Sequence, residues 1–145
     1  MKKLLIVVDY QNDFVNGSLG FSGAEKLEEK ILSKIEEYKE NDVVYTLDTH
    51  SENYLETKEG KKLPITHCVK GTEGWNLYGE LENSLKNRTC FEKCTFGSDA
   101  LFDFLRASEY ESVELIGLVS NICIISNAII AKTALPEAEI IVDAS

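Results

Sequence analysis

The run Leu4-Leu-Ile-Val-Val8, closed by Asp9, constrains this fold more than any other feature of the chain. A strand that is apolar at every position is covered on both faces, as in parallel sheets packed between helices. The rest of the chain repeats the theme. Residues 24–39 carry Leu27, Ile31, Ile35 and Tyr38 at helical spacing, with Glu and Lys between them, the pattern of an amphipathic helix. Ser22-Gly23 marks its start. Further strands are expected at 42–47, 89–93, 112–118 and 139–142. Helices are expected at 78–85, 98–107 and 122–135, with Ser98 as a cap and Leu101, Phe102 and Leu105 buried. Strands alternating with helices imply parallel crossovers, and hence one α/β domain of three layers, α/β/α, with a mostly parallel sheet. A closing helix would ordinarily cover the strand at 139–142, and we expect it beyond the residues given.

At 145 residues the chain can bury a core without disulfide or metal staples. Its net charge of −10 and the lack of a Lys/Arg-rich face argue against a nucleic-acid partner. Lys2 and Lys3 precede the first apolar run, but Asp9 interrupts it early and no small-residue cleavage site follows. No run approaches the roughly 20 apolar residues of a membrane span. Cys68, Cys90, Cys94 and Cys123 follow no zinc-knuckle or disulfide spacing, so reduced thiols in a cytoplasmic protein are expected.

Ligands of open parallel sheets bind outside the carboxyl ends of the strands. Those ends carry Asp9, Asp48, Lys93 and the turn leading to Cys123. Cys123 falls in the first turn of an apolar helix, where unpaired N–H groups favour a thiolate. Singly, each residue has a plainer role: a cysteine packs as a small hydrophobe, an aspartate caps a turn, a lysine is solvated. Sharing one rim, they read as a site. Asp48 and His50 lie two apart on extended chain and project to the same side. The chain's other histidine, His67, returns from the polar, Gly-containing stretch 48–76. A loop that long inside a compact domain is usually functional. One carboxylate and two imidazoles suit zinc, or iron or manganese, with coordination positions left open.

Four pieces of sequence carry a resemblance. They are Asp9-Tyr-Gln-Asn-Asp-Phe14; Phe91-Glu-Lys93 followed by Thr95-Phe-Gly-Ser98; Gly117-Leu-Val-Ser-Asn-Ile-Cys123; and Asp48-Thr-His50 with Leu63-Pro-Ile-Thr-His67-Cys68 and Gly71-Thr-Glu-Gly-Trp75. The first three resemble the isochorismatase-like cysteine hydrolases, and the fourth the metal-binding nicotinamidase branch of that family. The resemblance implies the isochorismatase-like fold and a catalytic triad of Asp9, Lys93 and Cys123. Asp9 would act as general acid and base, and the backbone N–H groups of Ile122 and Cys123 would receive the oxyanion. It also implies a cis peptide at Val119–Ser120.

The implied metal ligands are Asp48, His50 and His67. A further ligand comes from the intervening loop, with Glu59 best aligned and Glu52 and Glu56 behind it. The metal, most simply zinc, would hold a ring nitrogen of the substrate. Phe14 and Trp75 would wall a flat ring, and Leu19 and Phe21 would line the pocket. Ser120 stands where many relatives have Thr, Asn121 replaces a frequent Asp, and the segment after Lys93 lacks an aromatic–Ser pair.

The activity implied is hydrolysis of nicotinamide to nicotinate and ammonia through a thioester, feeding NAD salvage. The alternatives are another small amide as substrate, an isochorismatase-like hydrolysis that does not need the thiol, or a binding module with a broken triad. The partner expected is a small-molecule amide. Relatives are often oligomeric, so a homo-oligomer is a further expectation.

Overall fold

The computed structural model describes residues 2–143, apart from the side chains of Ser120 and Asn121, so those two departures lie outside the described side chains. Five strands, β1 (Lys3–Val8), β2 (Asp42–Asp48), β3 (Thr89–Lys93), β4 (Ser112–Gly117) and β5 (Glu139–Val142), form one sheet in the order β3-β2-β1-β4-β5. Every pairing is parallel. The helices are α1 (Asn12–Val15), α2 (Leu27–Glu37), α3 (Lys58–Lys62), α4 (Leu81–Ser84), α5 (Asp99–Arg106) and α6 (Ile125–Ala134). The α/β architecture with a parallel sheet is therefore the one expected.

Side chains alternate across β1 and feed two cores. Leu5 and Val7 join Phe14, Ile31, Leu81 and Leu85 on one face, beneath α1, α2 and α4. Leu4, Ile6 and Val8 join Leu101, Leu105, Ala131 and Ala134 on the other, beneath α5 and α6. This double coverage is why β1 reads as an unbroken apolar run, and all five of its apolar residues are fully buried. Ser98 caps α5 as expected, its Oγ accepting from the Leu101 N–H at 3.0 Å. Phe102 is only half-buried.

Three expectations need correcting. The amphipathic segment starts as a 3₁₀ turn, Ala24–Lys26, before α2. The polar stretch 48–76 contains α3 and two 3₁₀ turns, Tyr54–Glu56 and Glu73–Trp75, each too short to leave a helical period. The helix expected from Ile122 begins as a π-helical turn, Ser120–Ile124, in which the Ile124 N–H reaches back to the Val119 carbonyl at 3.1 Å.

Strand β4 ends at Gly117, whose φ of +139° lies outside the range L side chains adopt readily. A Cβ there would fall 2.1 Å from the Val8 carbonyl oxygen of the neighbouring strand. Gly117→Ala is expected to lower stability by about 2 kcal/mol or more, read as a shift of the urea midpoint. The cis peptide lies at Leu118–Val119, one bond earlier than expected and one residue beyond this glycine.

Candidate active site

The strand order reverses between β1 and β4, where successive crossovers leave in opposite directions. Crevices of this kind hold the ligands of open α/β sheets. Asp9 follows β1 and Cys123 follows β4, so both stand at that crevice, and Asp48 and Lys93 end the adjoining β2 and β3.

Asp9 has a φ of +46° and is wholly buried. Its Oδ1 accepts the Thr46 hydroxyl at 2.6 Å. Its Oδ2 lies 2.6 Å from Lys93 Nζ in a buried ion pair. That oxygen is held by charge and keeps a lone pair for a proton. Lys93 Nζ donates to the Thr95 carbonyl at 3.0 Å and to Cys123 Sγ at 3.5 Å. It also lies 3.8 Å from Asp48 Oδ1. A carboxylate, an ammonium and a thiol thus meet around one point.

The electrostatics set the resting proton positions. Burial raises the pKa of Asp9, and Lys93 only partly opposes it. Burial works against the Lys93 ammonium, but Asp9, Cys123 and Asp48 together hold its pKa above the ordinary lysine value. Burial and then Asp9 push the Cys123 thiol up, outweighing Lys93. The resting sulfur is therefore a thiol beside a carboxylate of enhanced basicity, and helix position alone does not make it a thiolate.

Beside this group, Asp48 Oδ2 is 3.0 Å from His50 Nε2 and 3.2 Å from His67 Nε2. The donor atoms of these three buried residues all lie within 4.8 Å of one another. Burial disfavours the Asp48 anion, but hydrogen bonds from His50 and His67, and Lys93 beyond them, lower its pKa to about 2. His67 Nδ1 lies 2.7 Å from the Ile65 carbonyl, which fixes Nδ1 as a donor, so that on loss of the Nε2 proton now shared with Asp48 the Nε2 lone pair would face a bound cation. Two nitrogens and a carboxylate oxygen, converged and oriented from behind, fit a divalent cation.

Glu59 stands at the edge of this set, its Oε2 being 3.6 Å from His50 Nε2 and 4.0 Å from His67 Nε2. Glu52 and Glu56 are exposed. Tyr54 packs edge-on against both imidazoles, and its hydroxyl lies 3.1 Å from Glu59 Oε2.

A cavity of about 240 Å³ opens onto Cys123, Asp48, Glu59 and His67, with Phe14, Leu19 and Phe21 in its walls. Leu63, Phe96, Val119 and Ile122 complete it. A larger cleft of about 790 Å³ lies on the outer side of His50 and Glu59 but does not reach Cys123. Of the three reactive groups, Cys123 faces the smaller space, while the buried Asp9 and Lys93 lie outside its lining.

Two expectations fail here. Trp75 does not line the cavity: its indole N–H donates to Thr49 Oγ1 at 2.9 Å, turning the ring against the core. The Ile122 N–H donates to the Val119 carbonyl, three residues back, at 3.1 Å, so this group is not free for an oxyanion.

Sequence reasoning also missed several supports. Gln11 grips the backbone of Asp48 on both sides, Oε1 accepting its N–H at 2.8 Å and Nε2 donating to its carbonyl at 2.9 Å. Asp13 Oδ2 accepts the Cys68 N–H at 2.8 Å, fixing the positive-φ residue next to His67. Thr46 could have been suspected as the strand residue two before Asp48. Gln11 and Asp13 belong to the motif Asp9-Tyr-Gln-Asn-Asp-Phe14, whose spacing does not reveal what their side chains hold.

The isochorismatase domain model matches residues 3–142. The chain belongs to the isochorismatase family. An uncharacterized isochorismatase family protein, PncA, of Bacillus subtilis is 32% identical over 89% of this chain and 78% of its own length. A crystal structure of nicotinamidase/pyrazinamidase PncA from Bacillus subtilis superposes with a TM-score of 0.84 at 31% identity, covering 98% of this chain and 84% of that one. The pyrazinamidase of Pyrococcus horikoshii, solved in complex with zinc, shares the fold over all of both chains, with a TM-score of 0.81 at 21% identity. The isochorismatase-like fold inferred from the sequence motifs is thus the fold of the molecule. No helix among the described residues is long and apolar enough to cross a membrane.

Proposed function

We propose that this isochorismatase-family hydrolase is a metal-dependent cysteine amidase that converts nicotinamide to nicotinate and ammonia. The observation that carries the reading is the meeting of Asp9, Lys93 and Cys123 at a cavity whose adjoining wall holds Asp48 and His67. Asp9 Oδ2 takes the thiol proton, and the sulfur bonds to the carboxamide carbon. The developing oxyanion lies beside the Cys123 N–H. When the C–N bond breaks, Asp9 returns the proton to the departing ammonia and leaves a thioester. Asp9 then accepts a proton from water, whose oxygen displaces the sulfur; Asp9 returns that proton to the departing sulfur, and the nicotinic acid released ionises to nicotinate. Lys93 holds Asp9 in place and balances its charge throughout.

Asp48, His50 and His67, with Glu59 beside them, would hold the metal. When bound, it supplies a coordination position for a ring nitrogen, a positioning role. The cavity walls favour this substrate class. They are apolar apart from Asp48, Glu59, His67 and Cys123, and no Lys or Arg lines them among the described residues. A ureido acid or isochorismate would bring carboxylates into a cavity whose lining supplies no Lys or Arg to pair with them, whereas nicotinamide and pyrazinamide are flat and neutral.

Ammonia release from nicotinamide, pyrazinamide and an N-carbamoyl amino acid, alongside elemental analysis of the purified protein, tests the reading. Turnover of the two ring amides and a bound divalent metal are expected. Stripping the metal should lower kcat/KM by roughly 100-fold, with recovery on adding zinc. Preferred turnover of the anionic amide, or unchanged activity after metal removal, would overturn it.

A further inference from the structure

Asn127 lies wholly buried in α6, one helical turn after Cys123. It touches neither the sulfur nor the ammonium, yet its amide is spent on the backbone that carries them. Nδ2 donates to the Cys123 carbonyl at 2.8 Å and to the Phe96 carbonyl at 3.2 Å. Oδ1 accepts the Ser98 N–H at 3.0 Å. Gly97, between those two residues, lets the segment lie against α6: a Cβ there would fall 2.5 Å from Ile130 Cδ1.

That segment is part of the site. It leaves β3 directly after Lys93, its Thr95 carbonyl accepts the Lys93 ammonium at 3.0 Å, and Phe96 walls the cavity. One side chain therefore joins the residue bearing the sulfur to the loop holding the ammonium. A fully bonded buried amide of this kind selects one arrangement of the elements it links. We propose that Asn127 is a positioning residue that fixes the distance between Lys93 and Cys123. The proposal rests on Cys123 being the nucleophile and is independent of which amide it attacks.

Asn127→Ala removes every tie. Asn127→Ser keeps a hydroxyl that reaches the Cys123 carbonyl one turn back but cannot reach residues 96 and 98. In both, kcat for ammonia release is expected to fall about 10- to 100-fold while KM changes by less than about threefold, as expected when reacting groups are misplaced and substrate contacts remain. Alkylation of Cys123 by iodoacetamide, followed at that residue by mass spectrometry, should slow by about tenfold as the ammonium loses its fixed place beside the sulfur.

Leu105→Ala, in the core beneath α5, serves as the destabilised control and should leave both readouts near the wild-type values. Folded Asn127 variants with wild-type kcat and alkylation rate would overturn the proposal. So would equal losses in the Leu105 control. Should Asn127→Ala fail to fold, Asn127→Ser decides the matter. Alkylation needs no substrate, so a wild-type protein inert toward nicotinamide would sink the substrate assignment and leave this test standing.

Discussion

Cys123→Ala is expected to reduce ammonia release by about 10⁴-fold or more, since a covalent route that loses its nucleophile has no substitute in the site. The fold should survive. The sulfur is a small buried atom whose thiol already resists ionisation, and alanine removes it without leaving a charge. Metal uptake should also persist, because Asp48, His50 and His67 form their own cluster with supports that do not involve the sulfur. Mass spectrometry of wild-type protein quenched during turnover should find an acyl adduct on Cys123, and the variant should show none. Retained turnover by Cys123→Ala would remove the thioester mechanism.

Asp9→Asn is expected to damage both activity and stability. The amide cannot take the thiol proton, so the rate should fall by about 10²- to 10⁴-fold. The exchange also leaves the Lys93 ammonium, 4% exposed, without its partner at 2.6 Å. Removing one member of a buried ion pair typically costs about 3–5 kcal/mol. Asp48 Oδ1 at 3.8 Å still faces the ammonium and should hold the loss near the lower figure, about 3 kcal/mol. Urea unfolding together with initial-rate measurements checks both. A variant as stable as the wild type would mean that the pair contributes no net stability.

The sheet was legible because its signal is local. An unbroken apolar strand needs cover on both sides, and the spacing in α2 shows its buried stripe. The strand ends then brought Asp9, Asp48 and Lys93 to one rim, and the structure places the Lys93 ammonium within reach of both carboxylates. Three things were not legible, for a common reason. The turning of Trp75 toward Thr49, the engagement of the Ile122 N–H and the bracing of Asp48 by Gln11 all depend on hydrogen bonds to groups distant in sequence or to a local turn without periodicity. Residue spacing carries no trace of such partners. The π-helical turn is a sharper case: its sequence reads as the start of an ordinary apolar helix, and the difference lies in which carbonyl the Ile124 N–H selects.

The pairing of Val8 with Gly117 across the two central strands has a consequence for how failure would look. Asp9 and the turn to Cys123 leave the sheet from that rung. Sliding one strand by a single position would carry their groups roughly 3.3 Å apart and turn them to opposite faces. Loss of alignment should thus act as an all-or-none defect. A preparation containing misaligned molecules would hold a smaller fraction of fully competent ones, and active-site titration would report fewer working sites at unaltered turnover per site.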